Sequence, residues 1–210
     1  MTEPSTETSH SRHLEQNRLL QRWQKLPHSG GLFTLGETEF GYGRDFLAAS
    51  KLWLETAPKN WRLQFISASA QPLTKTELHR MLANFPQYAG LTAQLLKVYP
   101  ATVDGIHYLE LFAGRISLCL MFGAAETMFN KISQSDDAGL ARHNTKPVDG
   151  WFITEASAQL RQTVAALSGP DTSMAGTSAF DTELKTSSPW YLNKTKPRQD
   201  KKTVVILGAG

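Results

Sequence analysis

The sequence predicts an α/β fold, a parallel sheet with crossover helices and a β-hairpin over 105–123. Three observations predict it. Short apolar runs, "LFTLGE" (32–37), "RLQFISAS" (62–69) and "VDGWFIT" (148–154), alternate with amphipathic segments at helical spacing from about 32 to 167. Clusters of Pro, Gly and Ser separate them. One stretch breaks the rhythm: "GIHYLELFAGRISLCLMFG" alternates apolar and polar residues around Ala113-Gly114, pairing "IHYLELF" with "RISLCLMF".

Taken in order, residues 1–13 are polar and read as a disordered start. "LEQNRLLQRWQKL" (14–26) spaces Leu19, Leu20, Trp23 and Leu26 as one amphipathic helix, ended by "PHSGG". The strand at 32–37 leads into the glycine-containing loop "GETEFGYG" and a helix over 43–57, with Phe46, Leu47, Leu52, Trp53 and Leu54 mostly on one stripe. After the strand at 62–69, Thr74 with Glu77 three residues on forms a capping box for a helix over 74–86, and a further helix over 88–100 stops at Pro100. The hairpin follows, then a short helix (124–133), a polar loop (134–147), the strand at 148–154 and a helix over 157–167 ended by Gly169-Pro170. From 168 to 189 the composition turns to Ser, Thr, Gly and Ala, which predicts disorder. "TVVILGAG" (203–210) reads as a buried strand running into a glycine turn.

Composition narrows the class. In 210 residues, 40% apolar and 20% charged, there is enough chain for one domain with a core, and no apolar run long enough to span a bilayer. The start has no apolar core of a secretory signal. The single cysteine, Cys119, sits in "ISLCLMF" and reads as a small core residue in a reducing, cytoplasmic setting. A net charge of +3 is compatible with a nucleic-acid partner without demanding one, and the basic run "KTKPRQDKK" (194–202) reads as a solvated linker. The six histidines show no metal-ligand spacing, so no metal is expected.

Parallel α/β sheets bind ligands at the carboxyl ends of their strands, so four segments share one rim. In the first, Gly41 and Gly43 either let the backbone approach a ligand, with Glu37 able to meet its hydroxyl or amino group, or form an ordinary turn. In the second, Ser69 stands where nucleotide folds commonly present an acid to ribose hydroxyls. Ala124 and Glu126 follow the hairpin, and Thr154 and Glu155 end the strand at 148–154. Glu155 is the titratable group of that last turn, either a general base or a solvated helix-start acid.

The order of these segments resembles the MnmC family, specifically its amino-terminal methyltransferase half, from about residue 18 to 160. "RWQKLPHSGGLFTLGETEFGYGRDFLAASKLW", "LQFISASAQPLTKTELHRMLANFPQYAGL", "GIHYLELFAGRISLCLMFG" and "VDGWF" carry the likeness in that order. Glu37, Phe40, Gly41, Gly43 and Phe46 match the family's E-S-G-F-G-T-G-x-N-F pattern, and Thr38, Glu39, Tyr42 and Asp45 depart from it. Glu39 replaces a glycine, where a β-carbon is expected to cost shape or stability if the backbone is left-handed. "SPWYLNKTKPRQDKKTVVILGAG" resembles the join to the family's FAD-dependent oxidoreductase half, with Gly208 and Gly210 opening its dinucleotide loop.

The resemblance implies a Rossmann-like, S-adenosylmethionine-methyltransferase-type sheet, incomplete at its C-terminal strands. It implies a linker over 168–202 and the start of an FAD-binding domain at 203–210. It further implies S-adenosylmethionine as cofactor, with Glu37, Phe40, Gly41, Gly43 and Ser69 at its site, and methylation of 5-aminomethyl-2-thiouridine at the tRNA wobble position. The implied partners are tRNA and a separately made oxidoreductase half, with FAD belonging only to that half.

Three departures bear on chemistry. Where the family has acids after its second strand, after its later glycine and at the reacting amine, this chain has Ser69, Ala124 and Thr154. Each lost carboxylate removes a charge-assisted hydrogen bond on the order of 1.5–3 kcal/mol. Losing two weakens cofactor binding by roughly two to four decades. The expectation is therefore impaired or absent catalysis. The alternatives are a non-catalytic tRNA- or protein-binding module and a decayed, truncated reading frame.

Overall fold

The computed structural model describes residues 7–134, 147–154 and 156–176. Among these residues six strands form one sheet: β1 (Gly31–Glu37), β2 (Trp61–Ser69), β3 (Gly105–Leu111), β4 (Ile116–Phe122), β5 (Val148–Phe152) and β6 (Ser168–Ala175). Their spatial order is β3-β4-β2-β1-β5-β6. All neighbours run parallel except β3 and β4, the antiparallel hairpin. Its turn is held by Phe112 (φ 54°), Ala113 (φ 52°) and Gly114 (φ 78°), where the sequence breaks its alternation. Setting β3 aside, the parallel strands follow the order 3-2-1-4-5 of a doubly wound sheet, and the order reverses between β1 and β5.

The strands alternate their side chains between two cores, as the two-residue period requires. Leu63 and Phe65 of β2, with Leu118, Leu120 and Phe122 of β4, join the core that also holds Leu19, Trp23, Phe46 and Trp53. Ile66 and Ala68 of β2, with Cys119 and Met121 of β4, point to the other core, closed by Met128, Phe129, Leu160 and Val164. Helices α1 (Glu7–Gln16), α2 (Leu19–Gln24), α3 (Arg44–Thr56), α4 (Lys75–Leu82) and α5 (Ala89–Val98) precede β3 in the chain, whereas α6 (Ala125–Gln134) and α7 (Ala158–Leu167) follow β4. Trp23, Trp53 and Phe33 interlock on the first face, with the indoles edge-on at 5.0 Å. On the second, Phe129 meets Trp151 edge-on at 5.2 Å. The Thr74–Glu77 capping box of α4 forms as expected, Glu77 N donating to Thr74 Oγ1 and Thr74 N to Glu77 Oε2.

Several expectations need correction. The single helix over 14–26 is two helices, and the first begins at Glu7 inside the stretch expected to be disordered. Arg18, at φ 50°, turns the chain between them. The buried Asn17 beside it donates from Nδ2 to His13 O and to Trp151 O, anchoring the break to β5. The disorder expected over 168–189 is overturned for 168–175, where β6 runs beside β5, so the sheet is less incomplete at its C-terminal edge than expected, and the rest of that stretch and the expected linker, 177–202, lie outside the described residues. Its polar residues are satisfied individually. Ser168 Oγ accepts from Trp151 Nε1 (3.0 Å), Thr172 Oγ1 donates to Val148 O (2.5 Å), and Ser173 Oγ accepts from Arg22 Nη1 (2.5 Å). Composition could not show these partners, which lie in β5 and α2. Pro170, a poor strand residue, falls where the register shifts between Ser168 and Ser173, on the edge strand where a missing N–H is tolerated. Most of the polar loop expected over 134–147 and all of "TVVILGAG" lie outside the described residues.

Candidate functional site

Because β1, β2, β4, β5 and β6 are parallel, their carboxyl ends share one edge, and the strand order reverses between β1 and β5, the position at which doubly wound sheets hold their ligands. The loop after β1 lies at that reversal and is tied to both neighbours. Thr38 N donates to Phe152 O (3.1 Å) and Phe40 N to Ala68 O (2.7 Å). Thr38 Oγ1 accepts from Thr154 N (3.2 Å), fixing the turn after β5 against the loop. Gly43 N closes the loop onto Phe40 O (2.7 Å) and enters α3 with φ 74°. A β-carbon on Gly43 would lie 2.7 Å from the Phe40 ring, so this glycine is required by both conformation and space. A β-carbon on Gly41 would meet nothing within 4 Å, so the loop's backbone is open on that side.

The predicted residues Glu37, Phe40, Gly41, Gly43, Ser69 and Thr154 all lie on or directly under this rim, with Ala124 and Glu126 at the end of β4. They differ in what they present. Glu37 is 3% exposed, and its Oε2 accepts from Ser67 Oγ (2.6 Å). Burial first, then the nearby Asp45 carboxylate, push its pKa well above the usual carboxylate range. It therefore lies beneath the loop as a proton-holding group, not on its surface. Phe40 is buried beside Phe46 and roots the loop. Thr154 is exposed, and Ala124 is exposed with a side chain that has no polar atom. Glu126 accepts from the Ser157 hydroxyl, which also caps α7, so this acid joins the starts of α6 and α7. Glu155, Gly208 and Gly210 lie outside the described residues.

Tyr42 does not crowd the loop. Its ring stacks on Phe85 (centroids 5.9 Å apart, 14° between planes), its hydroxyl accepts from Arg44 Nη1 (2.8 Å), and the Arg44 guanidinium lies over Phe85 at 4.3 Å. Glu39, expected to strain a glycine position, is not among the positive-φ residues. That strain does not arise, because the loop places its left-handed residues at Gly41 and Gly43.

Three residues enter the rim unforeseen. Glu39 reaches β2, its Oε1 accepting from Ser69 Oγ and from Gly41 N, both at 3.3 Å. His13 Nδ1 meets Asp45 Oδ2 at 2.9 Å while its ring stacks on Phe152 at 5.6 Å. The sequence signal for Glu39 was a second carboxylate two residues after Glu37. His13 carried none, since it sits in a stretch without apolar periodicity. Cys119 is buried, and burial pushes its thiol up to about 12, so it supplies no nucleophile here. Among the described residues no group of three His, Cys, Asp or Glu side chains could hold a metal ion, and no helix is long and apolar enough to cross a membrane. The rim can hold a polar ligand against open backbone, with exposed acceptors at Glu39 and a hydroxyl at Thr154.

No family model matches the chain. It is similar to tRNA 5-methylaminomethyl-2-thiouridine biosynthesis bifunctional proteins MnmC. The protein of Legionella pneumophila (strain Lens) is 31% identical over 196 residues, 87% of this chain and 29% of that protein. The one of Ectopseudomonas mendocina is 44% identical over 140 residues, 67% of this chain and 19% of that protein. The one of Magnetococcus marinus is 37% identical over 131 residues, 62% and 17% respectively. The chain thus spans less than a third of the length of these relatives. The crystal structure of MNMC2 from Aquifex Aeolicus aligns with a TM-score of 0.44 at 18% identity, covering 76% of this chain and 40% of that one.

Proposed function

We propose that this chain, a homologue of the MnmC bifunctional proteins over most of its length, keeps an S-adenosylmethionine-type site at the rim between β1, β2 and β5. By descent it serves methylation of 5-aminomethyl-2-thiouridine in tRNA, and its own methyl transfer is feeble or lost. The observation that carries the reading is the glycine loop from Glu37 to Gly43. It leaves β1 at the reversal of strand order, opens backbone at Gly41 and enters α3. Loops in that position hold the ligand of doubly wound sheets. Here Gly41 would face the cofactor, Thr38 would position the turn that carries Thr154, and Phe40 would hold the loop's shape.

The loss of transfer rests on the rim's chemistry. The hydroxyl of Thr154 cannot hold an incoming amine by charge or accept its proton as a carboxylate can. The side chain of Ala124 offers a cofactor base no polar atom. The finer reading extends to a cytoplasmic setting, to tRNA as partner and to a separately made oxidoreductase half that uses FAD.

Calorimetric titration of the folded chain with S-adenosylmethionine tests the site, and transfer of labelled methyl to tRNA bearing the aminomethyl group tests the chemistry. Micromolar binding with transfer at least 100-fold below an intact family member is the expected result. A folded chain without detectable binding overturns the cofactor reading. Transfer at the family's rate overturns the loss. A second reading, a non-catalytic tRNA- or protein-binding module, is favoured by the same absence of carboxylates at Ala124 and Thr154. It gains the field if tRNA binds and S-adenosylmethionine does not.

A further inference from the structure

We infer that Glu39, with Ser69, forms the hydroxyl-recognising subsite for the ribose of an adenosyl ligand, an acid supplied by the loop after β1 instead of by the end of β2. The inference rests on the cofactor reading above.

Doubly wound nucleotide folds place a carboxylate at the end of the second strand, where its two oxygens accept from the vicinal hydroxyls of a ribose. Here β2 ends in Ser69, which is 1% exposed and followed by Ala70, so the strand itself presents no acid. The position is nevertheless not without a carboxylate. Glu39 extends from the neighbouring loop until its Oε1 accepts from Ser69 Oγ at 3.3 Å. The reach is built into the backbone, because Phe40 N donates to Ala68 O at 2.7 Å and so holds the residue after Glu39 against the residue before Ser69. A second donor, Gly41 N at 3.3 Å, steadies the same oxygen. The side chain is exposed, and among the described residues Oε2 takes no hydrogen bond. One oxygen is thus anchored and the other is left without a hydrogen bond on an exposed side chain, and the backbone at Gly41, where a β-carbon would meet nothing within 4 Å, is open.

The two other carboxylates nearby cannot take this part. Glu37 is buried under the loop and bonded to Ser67, and Asp45 is bonded to His13. Vicinal hydroxyls approaching from the Gly41 side would give one hydrogen bond to Oε2 and share Oε1 with Ser69. A charged acceptor makes such bonds roughly twice as strong as a neutral one.

The test compares two probes, S-adenosylhomocysteine and its 2′,3′-dideoxy counterpart, on the full chain and on Glu39→Gln. The exposed position lets the variant fold, which an unchanged melting temperature confirms. The full chain is expected to prefer the ribose form at least tenfold, and Glu39→Gln to lose that preference by weakening the ribose form while leaving the dideoxy form unchanged. Ser69→Ala, which removes one of the two donors that anchor Glu39 Oε1, is expected to weaken the ribose form several-fold. If the full chain binds the ribose form and Glu39→Gln binds it equally well, the subsite is wrong while the cofactor reading stands. If the folded full chain binds neither probe, the cofactor reading fails and this inference with it.

Discussion

His13 and Asp45, thirty-two residues apart in the chain, meet at 2.9 Å between helix α1 and the first turn of α3. The same imidazole stacks on Phe152 at the end of β5, so α1 is fastened over the rim by one polar and one aromatic contact. Both partners are mostly shielded, 19% and 12% exposed at the side chain. His13→Ala is expected to cost about 1.5–3 kcal/mol, the range for hydrogen bonds to charged groups. It should also raise hydrogen exchange selectively in α1. A double-mutant cycle with Asp45→Asn separates the pair from the stacking. A coupling energy near zero would mean that His13 holds the helix through its stacking on Phe152 and not through Asp45.

Glu37 sets a pH dependence of opposite sign to the usual carboxylate. Its folded pKa lies well above the ordinary 4.5, raised by burial first and by Asp45 second. Between those two values the folded state holds more protons than the unfolded one, so stability falls as pH rises through that window. The contribution is complete below about pH 4.5 and lost once pH passes the folded pKa. Glu37→Gln keeps an acceptor for Ser67 and removes the titration. It is expected to melt a few degrees higher than the parent above pH 7, with the gap closing toward pH 5, at roughly 2–4 °C per kcal/mol for a chain of this size. A gap that widens toward acid pH would show the carboxyl to be ionised in the fold.

Gly36 is required by space. A β-carbon there would lie 2.3 Å from the Trp151 ring, which is fully buried and already packed edge-on against Phe129. Gly36→Ala is expected to destabilise by about 1–3 kcal/mol through overpacking. Near-ultraviolet circular dichroism of the displaced indole should change along with it. Denaturant unfolding with an unchanged midpoint would mean that Trp151 has room to move.

Arg22 fastens the last strand. Its Nη1 donates to Asp149 O (2.8 Å) and Ser173 Oγ (2.5 Å), its Nη2 to Asp171 O (3.4 Å), and its guanidinium lies over the Phe33 ring at 4.9 Å. Arg22→Ala leaves these acceptors without their donor, and Arg22→Lys cannot reproduce the fork. Both are expected to speed proteolysis within 168–176 while β1 and β2 stay protected from hydrogen exchange. Equal protection of β6 in parent and variants would show that its ladder to β5 suffices.

Restoring carboxylates tests the rim as a whole. Ala124→Asp and Thr154→Asp together, with Ser69 left in place to anchor Glu39, are expected to tighten S-adenosylmethionine binding about tenfold, read by calorimetry. No gain in a folded double variant would mean that the rim's geometry, and not only its charges, has departed from a working site.

The sequence by itself determined strands β1 to β5, the hairpin and the loop after β1, because these depend on short-range signals. Alternation shows in "IHYLELF", a capping pair in Thr74 and Glu77, and glycines at 41 and 43 stand where the chain turns left-handed. The resemblance it carried agrees with the homologues found. Only the tertiary structure decided the rest, since each remaining feature depends on partners distant in the chain. Ser168–Ala175 is a strand because Arg22, Trp151 and Val148 satisfy its polar groups. Glu37 is held beneath the surface because β2 and α3 close over it. Glu39 reaches Ser69 because a parallel pairing sets the ends of β1 and β2 side by side. Periodicity along the chain shows which face of an element is buried. It does not show which polar atom from another strand will meet it there.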